Sequence, residues 1–252
     1  MRRWVAAAAV PAALLAGGAA LASGHTARAT QTGGLALSPT VLQAAPVPGR
    51  LGTLTIANRS AAALAVTVTP RPWTESAAGA FAPDRRSALS QVKVDAGSFT
   101  LAAGAEQTVA VTLTGAPAGG SLYGALDVTG LPVDAAKRRG VVLGYRLVGT
   151  LRLPPAQKRY GLTAGQVKRS GKAVVLPLTS TGNTIDAISG HVSVKGARGT
   201  LNDNVAGLRV LPGRKVNLVL ATSVRKGSYS ATVTLKQGGA KLLTAKRKFS
   251  VR

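Results

Sequence analysis

Leu143-Gly144-Tyr145-Arg146-Leu147-Val148-Gly149-Thr150-Leu151-Arg152-Leu153 is the longest unbroken alternation in the chain, and Pro154-Pro155 ends it. Leu143, Tyr145, Leu147, Gly149, Leu151 and Leu153 share one parity; Gly144, Arg146, Val148, Thr150 and Arg152 share the other. Side chains two apart lie on one face of a β-strand, so this ribbon buries one stripe and wets the other. Proline has no N–H to give to a ladder, and two in succession make a natural joint between domains.

The same period of two recurs on both sides of that joint, with turn residues between the runs. Before it, Leu54 and Ile56 alternate with threonines as far as Asn58-Arg59-Ser60. Leu64, Val66 and Val68 run up to Pro70, and Val109, Val111 and Leu113 form another stripe. After it, Ile188, Gly190, Val192 and Val194 face away from Ser189, His191, Ser193 and Lys195. Val216, Leu218 and Leu220 make a further stripe, as do Tyr229, Ala231, Val233 and Leu235. Phe249 and Val251 close the last one, with Lys246, Lys248 and Ser250 outside. Turns are expected at Arg169-Ser170-Gly171, Ser180 to Thr184, Pro212-Gly213 and Gly238-Gly239. No stretch after the first thirty residues keeps a period of 3.6, so the fold is all-β. About seven strands in roughly 95 residues is the spacing of an immunoglobulin-like sandwich. Each half also has an Asn-containing turn, at Ala57-Asn58-Arg59-Ser60 and at Ser180-Thr181-Gly182-Asn183-Thr184. The expectation is two tandem immunoglobulin-like β-sandwich domains, residues 30–155 and 156–252.

Residues 1–29 have the three parts of a secretory signal peptide: Arg2 and Arg3, an apolar run from Trp4 to Leu15, and small residues with A-x-A sites at Ala20-Leu21-Ala22 and Ala27-Arg28-Ala29. Trp4 to Ala22 is also long enough to reach across a bilayer of about 30 Å, but Pro11, Gly17 and Gly18 interrupt it. The chain is therefore expected to be exported, and secreted or extracytoplasmic at the cell envelope. It has no cysteine, so an oxidising compartment supplies no disulfides and hydrophobic cores alone must hold the fold.

The residues of covalent chemistry are scarce. His191 sits between two serines on the wet face of its strand, and His25 stays with the mature chain only if cleavage falls at the earlier site. Without cysteine, a zinc site or a Cys–His pair is hard to build. Glu75, Asp84 and Asp95 are near in sequence, but nothing in the spacing makes them converge as glycoside chemistry requires. Asn202-Asp203-Asn204 lacks the later acidic ligands of a calcium loop and reads as a turn. Trp73 ends a strand at Arg71-Pro72-Trp73, where packing at a sandwich edge competes with sugar stacking. The chain is expected to be no enzyme and to carry no cofactor and no metal.

One succession of residues is more particular. Leu35-Ala36-Leu37-Ser38-Pro39 is followed by the turn Pro46-Val47-Pro48-Gly49, then by Leu54-Thr55-Ile56-Ala57-Asn58. Ser98-Phe99-Thr100-Leu101 leads through Ala103-Gly104 into Gln107 to Leu113, and Ser121 to Leu126 precedes the long ribbon. This resembles the amino-terminal domain of bacterial pilus-chaperone-like proteins, and still more the exported Gram-positive, actinobacterial-type proteins that pair with WxL-type surface proteins, in which a second sandwich follows. The resemblance implies binding to cell wall or to other surface proteins. Pilus chaperones anchor a subunit's terminal carboxylate with an arginine in the first strand and a lysine late in the first domain. Here Ser38-Pro39-Thr40-Val41-Leu42 has no arginine, while Arg146 and Arg152 lie in the late ribbon. No apolar tail precedes Phe249-Ser250-Val251-Arg252, so retention at the wall is expected to come from binding.

Charge is distributed unevenly. Residues 156–252 hold 18 Lys and Arg against Asp186 and Asp203; residues 30–155 hold 11 against six acids; the whole chain has net charge +24. Lys168, Arg169 and Lys172, Lys195 and Arg198, and Arg225 and Lys226 flank turns that would emerge at one end of a seven-strand sandwich. These seven are the candidate polyanion-binding residues, acting through long-range, salt-sensitive attraction; a dispersed charge that keeps the protein soluble stays open beside that reading. Nucleic acid is not expected, because the leader removes the chain from the cytosol and the basic groups lack interleaved aromatic stacking residues. Membrane contact is at most peripheral. The expected function is that of a non-enzymatic exported adaptor contacting anionic cell-wall polymer or another exported surface protein. The alternative is a chaperone-like assembly factor for a surface appendage, working by strand addition on the first domain.

Overall fold

Two pairs of β-sheets make up the computed structural model, which describes residues 33–251. The leader, with its cleavage signals and His25, lies outside the described residues. The first sandwich contains β1 (Leu35–Ser38), β2 (Val41–Gln43), β3 (Gly49–Asn58), β4 (Leu64–Glu75), β5 (Phe81–Pro83), β6 (Val92–Val94), β7 (Ser98–Leu101), β8 (Glu106–Leu113), β9 (Leu122–Pro132) and β10 (Tyr145–Leu153). The second contains β11 (Leu162–Ala164), β12 (Lys168–Ser170), β13 (Ala173–Ser180), β14 (Ile188–Gly196), β15 (Gly199–Leu208), β16 (Lys215–Thr222), β17 (Gly227–Gln237) and β18 (Ala240–Val251). A single turn of 3-10 helix, Ala135–Lys137, sits between β9 and β10. The fold is two tandem immunoglobulin-like sandwiches.

In the first sandwich one sheet runs β1-β3-β8-β6 and the other β2-β10-β9-β4-β5, with β7 also pairing β4. The opening strand divides between them: β1 is antiparallel to β3, while β2 is parallel to β10, and the cis Ser38–Pro39 bond lies between. The alternating stripes close the core. Leu54, Ile56, Val109, Val111 and Leu113 from one sheet meet Val66, Leu126, Val128, Leu151 and Leu153 from the other, all almost wholly buried. In the second sandwich β13 pairs β11, β12 and β16, and the facing sheet runs β15-β14-β17-β18. Its core is built from Leu176, Leu178, Ile188, Val192, Val194, Val216, Val233 and Leu235. Gly190 interrupts the β14 stripe for a steric reason: a Cβ there would run into the carbonyl oxygen of Thr234 on β17.

Asn58 and Asn183 each pin a loop from inside. Asn58 is buried, and its Nδ2 donates to the carbonyls of Ala62, Leu101 and Ala102, while its Oδ1 accepts from the Ser60 backbone and hydroxyl. Asn183, also buried, donates to the Gln157 carbonyl and accepts from the Arg159 N–H, so it fixes the segment just after Pro154-Pro155.

Several sequence expectations need correction. β4 continues through Pro70 and Pro72 to Glu75, so Trp73 lies within the strand and not at its end. The prolines fit because β4 is left there by regular strands on its other side: between β7 and β5, only the loop N–H groups of Leu89 and Asp84 reach the Pro70 and Pro72 carbonyls. Trp73 packs edge-on against Phe81, with ring centroids 6.5 Å apart. Asn202-Asp203-Asn204 is not a turn but part of β15, opposite Val192 and its neighbours. The long ribbon enters the ladder at Tyr145, leaving Leu143 and Gly144 in the preceding loop.

Candidate functional site

The edge of β10 is open over half its length. β9 pairs with β10 from Tyr145 to Leu153, but on the opposite side β2 reaches only Thr150 to Arg152. Tyr145 to Gly149 therefore have no strand partner on that side among the described residues. An unpaired edge offers a row of backbone N–H and C=O groups to any added strand. The apolar parity of the ribbon continues outward past its paired part. Leu151 and Leu153 are buried in the core, Leu147 and Tyr145 are half-buried, and Leu143 and Val141 are 71% and 92% exposed. Val141, Leu143 and Tyr145 line a hollow of about 260 Å³ with Leu64, Pro132 and the Ser60–Ala62 loop. Val141 and Leu143 thus carry the apolar stripe out of the core and into solvent.

Behind this edge, on the outer face of the sheet, one carboxylate holds two guanidiniums. Asp127 on β9 is only 5% exposed; it accepts from Arg146 Nε at 2.7 Å and Nη2 at 3.0 Å, and from Arg71 Nε at 2.9 Å. Arg71 Nη1 also donates to the carbonyls of Asp84, Arg85 and Ser87, so the loop after β5 is strapped to the sheet. Burial pushes the Asp127 carboxyl up, but the bonds and charge of Arg146, then of Arg71, outweigh it and hold the group below the usual carboxylate range. Sequence reasoning missed this cluster, since Arg71 and Asp127, 56 residues apart in the chain, meet only through the register of the neighbouring strands β4 and β9.

A second group of polar contacts joins the two sandwiches. Tyr123, opposite Arg152 in the β9–β10 register, donates its hydroxyl to the Asn183 carbonyl at 3.4 Å. Arg152 Nε is buried and has no hydrogen-bond partner among the described residues. At the far end of β4, Glu75 Oε2 accepts from the Leu211 N–H at 2.9 Å, and the Asn217 N–H donates to the Ala77 carbonyl at 2.7 Å. The β4–β5 hairpin thus reaches the second sandwich, and all described residues fall in one compact unit. Burial raises the Glu75 carboxyl above its usual range, against the opposing bond from Leu211 and the charge of Arg214.

The seven basic candidates all lie near the end of the second sandwich where these turns emerge, on three surfaces. Arg198, Arg225 and Lys226 line one cleft of about 380 Å³ between the β14–β15 hairpin and the loop before β17. Lys172 adjoins it, because its carbonyl accepts from the Ser223 N–H. Lys168 and Arg169 border a separate hollow beside Phe249 to Val251. Lys195 stands on the flat outer face of β14, next to Lys246 and Lys248. The carboxylates Glu75, Asp84 and Asp95 do not meet: Asp84 binds the Arg86 N–H and the Ser87 hydroxyl, and Asp95 binds the Ala110 N–H. His191 pairs with Asn204 at 3.2 Å on the surface. Among the described residues no three His, Asp or Glu side chains cluster as a metal site would require, and no helix is long and apolar enough to cross a membrane.

No family model matches the sequence, and no curated protein matches it. Solved structures do resemble it. A chain from work on a chaperone–tip adhesin complex of CFA/I fimbriae biogenesis is similar with a TM-score of 0.54 at 10% identity, over 85% of this chain and 99% of that one. The class 5 fimbriae chaperone CfaA is similar with a TM-score of 0.50 at 10% identity, over 86% of this chain and 99% of that one. At such identities the likeness is one of fold, and the chain has the two-sandwich, pilus-chaperone-like fold.

Proposed function

We propose that this protein is a chaperone-like assembly factor of the cell envelope, exported and non-enzymatic, which holds an exported surface subunit by strand addition to the first sandwich. The observation that carries this reading is the open β10 edge at Tyr145 to Gly149, beside an apolar alternation that starts outside the strand at Val141. An added strand would take its affinity from backbone hydrogen bonds along that edge and its register from the side chains Val141, Leu143, Tyr145 and Leu147. We assign Arg152 as the anchor for a partner's terminal carboxylate. Arg146 is already engaged by Asp127, whereas Arg152 Nε has no partner among the described residues. A guanidinium binds carboxylate in a planar, two-pronged geometry and stays charged at every physiological pH. The leader supports the exported setting, and the fimbrial chaperone among the similar folds supports the class of activity.

The test is photo-crosslinking in the native host from a benzoylphenylalanine placed at position 141, with position 219 on β16 as the control. A single exported partner captured from 141 and not from 219, through a segment of alternating apolar residues and unaffected by 0.5 M salt (well above the ~0.15 M physiological range), is the expected result. Equal capture from both positions, or none from 141, rejects the proposal.

A second reading has its own observation. Arg198, Arg225 and Lys226 around one cleft, with Lys172 beside it, form a concentrated positive end that suits an anionic wall polymer. Binding to the organism's own cell walls that falls steeply with salt, and is weakened by changing those four residues to Ser, is the outcome it requires.

A further inference from the structure

We infer that the outer face of the β15-β14-β17-β18 sheet is a docking surface for a linear acidic polysaccharide. The inference rests on the second reading only in that the protein meets an anionic polymer; it places the polymer on the flat sheet face and not in the end cleft. The register decides which side chains share that face. Lys195 stands opposite Ser230, which stands opposite Lys248; Ser193 stands opposite Thr232, which stands opposite Lys246. One level further along, His191, Thr234 and Thr244 are in line. The alternate positions Val192, Val194, Ala231, Val233 and Ala245 are buried in the core, so the lysine and hydroxyl positions point away from it.

Three properties distinguish this face. Among the described residues it has no carboxylate: Asp203 is registered opposite Val192 on the other parity, and Asp186 is tied to Lys158 at 2.8 Å. Its centre is a shallow trough of about 380 Å³ lined by Lys195, Lys246, Lys248, Ser193, Ser230 and Thr232. Finally, the strands run side by side without a covering element among the described residues, and the lysines are exposed. Lys246 and Lys248 are separated by about 7 Å along the strand, and Lys195 and Lys248 by about 10 Å across two strands.

The chemistry selects the occupant. Ammonium groups neutralise the charges of a polyanion, while the row of serine and threonine hydroxyls exchanges hydrogen bonds with a hydroxylated chain. A bilayer is a poorer match, since interfacial binding needs apolar side chains to bury among the lipids and this trough has none. A single-stranded nucleic acid would need aromatic platforms, and the aromatic pair of this sheet, Tyr229 and Phe249, stacks at 5.4 Å on the core parity.

The experiment uses the full exported chain and polygalacturonate as the probe, by titration calorimetry across a salt series, with four variants. K195S/K246S/K248S is expected to bind about tenfold more weakly, with a shallower salt dependence. S193A/T232V is expected to bind about threefold more weakly with the salt dependence unchanged, the mark of lost hydrogen bonds. R50S/R85S/R86S, which removes three exposed charges from the first sandwich, is expected to change affinity by less than about twofold, and R198S/R225S/K226S at the end cleft by less than the lysine variant does. Unchanged melting temperatures show that each variant is folded. Wild-type affinity in the lysine variant, or loss in the end variant instead, overturns the placement while leaving an anionic polymer as partner. No binding by wild type at low salt overturns the placement and the second reading together. Co-sedimentation with phosphatidylglycerol vesicles as tight as binding to the polymer, and abolished by the same lysine variant, assigns the face to a membrane and overturns the inference.

Discussion

Glu75 at the end of β4 accepts a hydrogen bond from the backbone N–H of Leu211, 2.9 Å away in the other sandwich. Its second oxygen is buried without a partner among the described residues. A carboxylate in that position joins two cores through one charged oxygen and leaves the other poorly served. Its proton affinity is raised by burial, against the Leu211 bond and the charge of Arg214. The folded protein therefore keeps this proton at pH values where the unfolded chain has lost it. Stability from Glu75 is fully present below the ordinary glutamate range and falls as pH rises through that range to the raised folded value. Thermal melts of wild type and Glu75→Gln should differ most in favour of wild type near pH 4 and least near pH 7. A difference independent of pH would remove Glu75 as the titrating group.

Asp127 has the opposite sign. Its carboxyl is held low by Arg146 and Arg71 in spite of burial, so its contribution is present above the ordinary aspartate range and is lost as pH falls through the lowered value. Asp127→Ala leaves two guanidiniums facing each other, and should cost about 2 kcal/mol, less than a fully buried pair because both arginines reach solvent. Urea unfolding at neutral pH measures it. Adding Arg146→Met to Asp127→Ala should recover part of the loss, which a purely steric role for Asp127 would not allow.

Asn58→Ala should destabilise the first sandwich by about 2–3 kcal/mol, because the carbonyls of Ala62, Leu101 and Ala102 lose one donor group together. Asn183→Ala should act more locally. Its side chain holds the Gln157 carbonyl and the Arg159 N–H, so hydrogen exchange should quicken at residues 157–161 before the cores are affected.

Gly190→Ala should fail or lose at least about 3 kcal/mol, since the added methyl collides with the Thr234 backbone and not with a flexible side chain. The measurement is soluble yield followed by calorimetry. A melting temperature equal to wild type would mean that β14 and β17 are not registered as described.

Val141→Glu with Leu143→Glu should leave stability within about 0.5 kcal/mol, as both side chains are largely exposed. If β10 receives an added strand, the same double variant should abolish recovery of the cross-linked partner. Retained recovery alongside retained stability would move the contact away from this edge.

Much of the fold was legible because alternation is a local property. Leu54 to Ile56, Val109 to Leu113 and Leu151 to Leu153 each announce a buried stripe within a few residues, and all are buried. The reading failed where tertiary context overrides local signals. Pro70 and Pro72 look like a strand end, yet β4 passes through both because regular strands leave that side of it free there. Asn202-Asp203-Asn204 has turn composition but is held as strand by pairing with β14. The candidate docking edge was half visible. The ribbon and its apolar parity could be read, but not that β2 is too short to cover it. Arg71, Asp127 and Arg146 were invisible as a group, since only the register of β4, β9 and β10 brings them together.

The hairpin contact at Ala77 and Glu75 also bears on motion. A body fixed to its neighbour at a single point swivels in every direction; fixed at two, it can only rock about the line that joins them. Pro154-Pro155 supplies one such point, and the tip of the β4–β5 hairpin, bonded to Asn217 and Leu211, supplies the other. Two such attachments restrict the movement of one sandwich on the other more than either alone. The Tyr123–Asn183 bond is a third contact between the sandwiches, and Arg152 is registered directly opposite Tyr123.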